Sequence, residues 1–193
     1  MSRVDGRKSI FITGAASGMG LETARLFRSQ GWFIGGYDVN GPGIDALRAE
    51  LGPEYGVFEV LDVTDRAAYA GALSRFSDAT GGRLDLLFNN AGIGRGGVFA
   101  EQDFDDILAV VNVNLIGVLN GIRLAIDLLK ATPGSLCFST SSSSAIFGAA
   151  GIAVYSATKH AVKGLTEALS VEFAPLGVRV ADALPGLIDT PIL

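Results

Sequence analysis

The chain has 193 residues, nearly half of them hydrophobic and under a fifth charged, which suits one folded domain with a sizeable core and excludes a disordered chain. Its 26 glycines follow no triplet period, which excludes a collagen-like fibre and points to tight turns and close backbone approaches. The net charge of −5 carries no Lys/Arg cluster, and Cys137 and His160 are the only residues of their kinds; nucleic acid is therefore not an expected partner, and an internal disulfide or a cysteine- or histidine-rich metal site is excluded.

The N-terminal stretch is basic and then apolar, with an apolar run too short for a signal peptide. No apolar run reads as long enough for a membrane span, so no membrane partner and a reducing, cytoplasmic setting are expected. In chain order, strands are expected over 9–13, 32–37, 57–61, 84–88, 135–139 and 178–184, and helices over 20–30, 43–51, 66–80, 103–130 and 155–174. Several strand runs are apolar almost throughout, as strands buried on both faces are. Alternating strands and helices imply a parallel sheet covered on both faces. Right-handed crossovers then leave a doubly wound, three-layer α/β/α sheet of the Rossmann kind, in one domain over 1–193. The serine-rich run 139–144 reads, by itself, as a polar loop after the fifth strand.

The first strand ends in Thr13-Gly14-Ala15-Ala16-Ser17-Gly18-Met19-Gly20, and a helix follows. Gly14 can make the tight turn. Gly18 and Gly20 let backbone approach a pyrophosphate and let the helix pack on the strand. The helix N-terminus offers free N–H groups and a partial positive charge to phosphates. The second strand runs out at Asp38, eighteen residues after Gly20. A carboxylate there accepts hydrogen bonds from ribose hydroxyls and repels a 2′-phosphate. No Arg or Lys stands beside it, and Ser17 is uncharged where a cation might hold the extra phosphate. NAD is therefore the expected cofactor, rather than NADP.

These motifs, with those further along the chain, resemble the classical short-chain dehydrogenase/reductase family. The spacing Gly14-x3-Gly18-x-Gly20 is similar to that family's, as are Asp62-Val63 after the third strand and Asn89-Asn90-Ala91-Gly92 after the fourth. So are Asn114-Leu115-Ile116-Gly117, Ser142 thirteen residues before Tyr155, Tyr155-x3-Lys159, and Pro185-Gly186-Leu187-Ile188-Asp189-Thr190. Their order and spacing over residues 9–190 carry the resemblance. It implies that Asp62 and Val63 contact adenine, and that Asn90, Ala91 and Gly92 line the ribose side and steady the central strand. Ile188 and Thr190 would hold the nicotinamide carboxamide, beside Pro185 and Gly186. Gly14, Ser17, Gly18, Met19, Gly20 and Asp38 complete the cofactor set, to which Tyr155 and Lys159 also belong. Asn114, Ser142, Tyr155 and Lys159 would form the catalytic tetrad, and the expected reaction is hydride exchange between NAD and a secondary alcohol or ketone.

The chemistry gives each of these a reason. Tyr155 and Lys159 are four apart on an expected helix and share a face. A free tyrosine, with a pKa of about 10, is a poor base near neutrality, but a nearby ammonium and an oxidised nicotinamide both stabilise a phenolate. Ser142 would polarise the substrate oxygen, and Lys159 would also bind ribose hydroxyls. On the resemblance alone, Asn114 would hold a relay water. The helices bearing Asn114 and Tyr155 are apolar on more than one face, and the resemblance implies that they pair subunits into a dimer or tetramer. Substrate contacts are expected from 93–98, 145–154 and the segment after Pro185, where Arg95 is the one charge in the first two. The resemblance also implies a helical lid and a seventh strand after the Pro185 turn, so a truncated chain, or a partner covering the sixth strand, is expected. The competing readings are an NAD(H)-binding sensor or scaffold without turnover and, among enzymes, an extended-branch epimerase or dehydratase or an enoyl reductase.

Overall fold

The computed structural model describes residues 6–188. Six strands form one parallel sheet: β1 (Ser9–Thr13), β2 (Phe33–Asp38), β3 (Gly56–Val60), β4 (Leu86–Asn89), β5 (Leu136–Thr140) and β6 (Arg179–Ala183). Their spatial order is β3-β2-β1-β4-β5-β6. The register sets Phe11 beside Gly35 and Leu87, and Leu87 beside Cys137. The helices are α1 (Gly18–Ser29), α2 (Gly41–Leu51), α3 (Arg66–Thr80), α4 (Phe104–Val111), α5 (Gly117–Ala131) and α6 (Ala153–Glu172). The Rossmann architecture expected from the alternation is the observed one.

Alternate strand residues feed two cores, as the period of two requires. Phe11, Phe33, Tyr37, Leu87 and Cys137 pack with Tyr69, Phe76, Ile122, Leu129 and Val162 from α3, α5 and α6. Ile10, Ile12, Ile34, Phe58 and Phe88 pack with Ala24, Ile44 and Leu47 from α1 and α2. Phe11 stacks on Tyr37 with ring centroids 4.0 Å apart and meets Phe76 edge-on. Gly35 leaves room for that ring, since a Cβ there would stand 2.7 Å from Phe76.

The helix expected over 103–130 departs from one regular helix. α4 and α5 are joined by a π-helical turn, Asn112–Ile116, that puts Asn114 inside the protein. The whole stretch Phe104–Ala131 is helical over 28 residues, and by length and composition alone it is long and apolar enough to cross a membrane. That corrects the expectation that no run has this length: scattered Asp, Asn and Arg break the apolar run in sequence but not the helix. One side of it joins the core, with Val110, Val118, Ile122, Ala125 and Leu129 buried, while Phe104, Leu108, Ile116 and Leu119 are exposed. Gly117 and Gly121 let it lie close, because a Cβ at Gly117 would be 2.5 Å from Val63 and one at Gly121 2.3 Å from Asn89.

Candidate active site

The order of strands reverses between β1 and β4, and the crevice beyond their carboxyl ends is where such sheets bind ligands. β1 leads into Gly14, whose φ of +71° suits glycine. α1 then begins at Gly18, two residues before the expected start. Ser17 is its N-cap but makes no side-chain capping bond. Gly20 is buried under the turn, where an added Cβ would fall 2.0 Å from the Gly14 carbonyl oxygen. Of the two roles expected for Gly20, the geometry provides helix–strand packing.

A groove of about 250 Å³ opens here. It is lined by Gly14, Ser17, Gly18 and Met19 from the turn, Asp38 after β2, Asp62 and Val63 after β3, and Asn90, Ala91 and Gly92 after β4. Val39, Leu61 and Val113, which sequence reasoning missed, line it too, as does Ile93, expected on the substrate side. The Asp38 carboxylate is held in place, accepting from the Ala16 N–H at 3.1 Å and the Asn40 N–H at 2.9 Å. Asp62 closes its own turn, accepting from the Thr64 N–H and hydroxyl at 2.8 and 2.7 Å. No lysine or arginine is among the described residues lining this groove.

Two threonines that the sequence reading passed over tie the strand ends together. The Thr13 hydroxyl oxygen accepts from the Asn90 and Ala91 N–H groups, both at 3.1 Å. The Asn90 amide donates back to the Thr13 carbonyl at 3.1 Å, and Thr140 donates to the Asn90 amide oxygen at 3.1 Å. The ends of β1, β4 and β5 are thereby fastened in a row.

A second cavity, of about 350 Å³, adjoins the groove and shares Met19, Asn90 and Gly92 with it. Ser142, Tyr155, Lys159, Pro185, Gly186 and Ile188 all line it. Thr190 lies outside the described residues. The serine-rich run is not a solvated loop after β5: Ser139 and Thr140 end the strand itself, and in the loop that follows Ser141, Ser142 and Ser144 are buried. The Ser141 N–H donates to Ala183 O at 2.8 Å and the Ser143 N–H to Pro185 O at 2.9 Å, joining this loop to the end of β6. Ser141 Oγ also donates to Lys159 O at 3.0 Å, joining it to α6.

Tyr155 and Lys159 do share a face of α6, with Lys159 Nζ 5.5 Å from the centre of the Tyr155 ring. The ammonium donates to the Thr140 carbonyl at 2.8 Å. Asn114 is fully buried and sits behind the cavity. Its Oδ1 accepts from the Ile93 N–H at 2.8 Å, and its Nδ2 donates to the Ile93 carbonyl at 3.0 Å. Arg95 is ion-paired with Asp106 at the start of α4.

Burial pushes the Lys159 ammonium down to about 8 from an ordinary 10.5. Between those two pH values the unfolded chain holds a proton that the folded one has lost, so this group makes stability rise with pH across that window. We expect the stability of ligand-free wild type, relative to Lys159→Met, to improve from pH 7 to pH 10. Urea unfolding of both proteins checks this, and a difference independent of pH would contradict it.

Comparison with known proteins bears on this arrangement. The family model described as short chain dehydrogenase matches residues 8–193. The chain is 36% identical over 193 residues to the 3-oxoacyl-[acyl-carrier-protein] reductase FabG of Thermotoga maritima, covering 98% of this chain and 77% of that protein. It is 38% identical over 188 residues to the 2,5-dichloro-2,5-cyclohexadiene-1,4-diol dehydrogenase LinX of Sphingobium indicum, covering 96% and 74%. Among solved structures, 3-ketoacyl-(acyl-carrier-protein) reductase from Brucella melitensis, complexed with NADH, superposes with a TM-score of 0.91 at 29% identity, over 96% of this chain and 78% of that one. The protein belongs to the short-chain dehydrogenase/reductase family. It is an oxidoreductase of that family, whose members bind nicotinamide cofactors and include relatives acting on alcohols and ketones.

Proposed function

We propose that the protein is an NAD-dependent oxidoreductase that interconverts a secondary alcohol and a ketone, with Tyr155 as the proton donor and acceptor. The observation that carries this reading is the continuous cleft. The glycine-turn groove and the cavity holding Ser142, Tyr155 and Lys159 share three lining residues, so a dinucleotide along the first reaches the second. The groove fits such a group. Gly14 and Gly20 have no room for side chains, the N-terminus of α1 has no side-chain cap from Ser17, and Asp38 supplies a fixed carboxylate for ribose hydroxyls.

When bound, the dinucleotide accepts or donates the hydride; the chain manages the proton. In reduction the Tyr155 hydroxyl gives its proton to the substrate oxygen, and in oxidation the phenolate takes it back. Ser142 donates a hydrogen bond to that same oxygen as negative charge develops on it. The Lys159 ammonium favours the phenolate by its charge and serves the ribose. Asn114 fastens the Ile93 backbone at the cleft floor and, in this reading, holds the relay water. Pro185, Gly186, Ile188 and Thr190 serve the nicotinamide end. Phe147, Ile152 and Leu187 give the cavity apolar walls, and Lys159 is the one charged residue among its described lining. An uncharged, largely apolar alcohol or ketone suits it. Exposed Phe104, Leu108, Ile116 and Leu119 on α4, the π turn and α5 are the proposed seat of a homodimer or homotetramer, which sedimentation equilibrium tests.

The cofactor choice has a direct test. NADH is expected to bind at least about tenfold more tightly than NADPH, since a 2′-phosphate would meet Asp38 without a neighbouring cation. Fluorescence titration with both cofactors measures the ratio, and Asp38→Ala is expected to shrink it. Equal or tighter NADPH binding by wild type would rule out the assignment. Steady-state assays with a panel of ketones and alcohols complete the test. NADH binding without turnover on any of them would favour a sensor or scaffold.

A further inference from the structure

We propose that Ser144 is a positioning residue that aims the Ser142 hydroxyl at the substrate oxygen. The inference rests on the oxidoreductase reading above and adds to it a residue from the serine-rich run that the reading leaves without a role.

Ser142 and Ser144 are 8% and 7% exposed, so neither hydroxyl can rely on bulk water. Ser144 Oγ lies 2.9 Å from Ser142 Oγ. The Ser144 backbone N–H also points at Ser142 Oγ, at 3.2 Å. A backbone N–H can only donate, so Ser142 Oγ accepts there. A serine oxygen has two acceptor sites and one hydrogen. When the Ser144 hydroxyl donates as well, both acceptor sites of Ser142 are filled by one neighbouring residue. The Ser142 hydrogen is then the only capacity left, and it has the cavity in front of it. The same arrangement polarises the Ser142 O–H, because a hydroxyl that accepts hydrogen bonds donates a stronger one. With Ser144 replaced by alanine, one of the two acceptor sites empties and the Ser142 rotor is free to turn away.

Loop geometry makes the pairing local and rigid. Ser142 is the N-cap of the short 3₁₀ turn Ser143–Ala145, and the Ala145 N–H donates to the Ser142 carbonyl at 2.9 Å. The Ser143 N–H to Pro185 bond fixes the turn from the other side. Ser144 itself also lines the cavity, so direct contact with substrate is the rival role that a test has to separate.

A double-mutant cycle does so. Wild type, Ser144→Ala, Ser142→Ala and the double variant are assayed with NADH and one ketone that wild type reduces. NADH affinity is measured by fluorescence on each. Ser144→Ala is expected to lower kcat about five- to tenfold, the scale of one neutral hydrogen bond, while KM and NADH affinity stay near wild type, because the charge appears only in the transition state. Ser142→Ala is expected to fall further. The double variant should be no slower than Ser142→Ala alone, since a residue acting only through Ser142 has nothing left to aim. Ser144→Cys keeps a side chain of similar shape but donates weakly; it should fall with Ser144→Ala. Multiplicative losses in the double variant, recovery in Ser144→Cys, or an unchanged kcat in Ser144→Ala would each overturn the proposal while leaving the oxidoreductase reading intact. A wild type that binds NADH but reduces no ketone would remove that reading, and this inference with it.

Discussion

Tyr155→Phe is expected to lower turnover by at least about two orders of magnitude, the scale of lost general acid–base catalysis, with NADH affinity little changed. The substitution removes one oxygen and keeps the ring, so α6 packs as before. The Lys159 ammonium keeps its bond to the Thr140 carbonyl at 2.8 Å, so the residue beside Tyr155 stays in place. The loss therefore falls on the proton alone. Steady-state kinetics and an NADH titration on the same preparation measure both halves. Near wild-type turnover would show that some other group moves the proton. A matched loss of cofactor affinity would show that the cleft itself had been disturbed.

Gly20→Ala is expected to weaken NADH binding about ten- to 100-fold, the equivalent of about 1–3 kcal/mol of overpacking. It is also expected to lower the melting temperature by several degrees. The new Cβ would stand 2.0 Å from the Gly14 carbonyl oxygen and 2.7 Å from Asn90 Nδ2. The Gly14 oxygen is backbone and cannot swing aside. Asn90 is held by Thr13 and Thr140, so it cannot retreat without unfastening three strand ends. Relief comes only from lifting α1 off β1, which distorts the turn proposed to receive the pyrophosphate. Overpacking of this kind costs about 1–3 kcal/mol. Differential scanning calorimetry and the same titration check it, and a variant that melts and binds like wild type would contradict the packing argument.

The succession of elements was legible because each burial pattern repeats over a long enough window. Strand runs apolar on both faces sit between helices with one apolar side, and every expected strand exists within a residue or two. The shifts have local causes. Trp32 was read into β2, but its ring packs edge-on against Phe27 just before the strand. Leu84 is buried as expected, yet its N–H donates to the Thr132 hydroxyl at 3.0 Å instead of joining the ladder. The residues lining the groove were legible where glycine or a strand-end carboxylate marks the chain. Thr13, Thr140 and Ser144 were not, because a short hydroxyl side chain near a strand end looks like any turn residue. Their partners are brought close only by sheet order or by the fold of the loop. Lys159 was placed on the right face, but its burial is invisible in sequence: it follows from the serine-rich loop closing over α6.

The π turn between α4 and α5 was illegible for a different reason, and it has a mechanical consequence. One residue beyond the regular 3.6 per turn rotates everything after it by about 100° relative to an unbroken helix. The helix upstream and the helix downstream are thus phased separately. α5 keeps Gly117 and Gly121 against Val63 and Asn89, while the turn itself holds Asn114 under Ile93. Asn114, Gly117 and Gly121 are all turned inward, and the extra residue sets how α4 is rotated relative to them. The extra residue works as a phase offset: it decides which side of α4 accompanies the inward side of α5, and restoring a regular helix would turn α4 by about that same 100°.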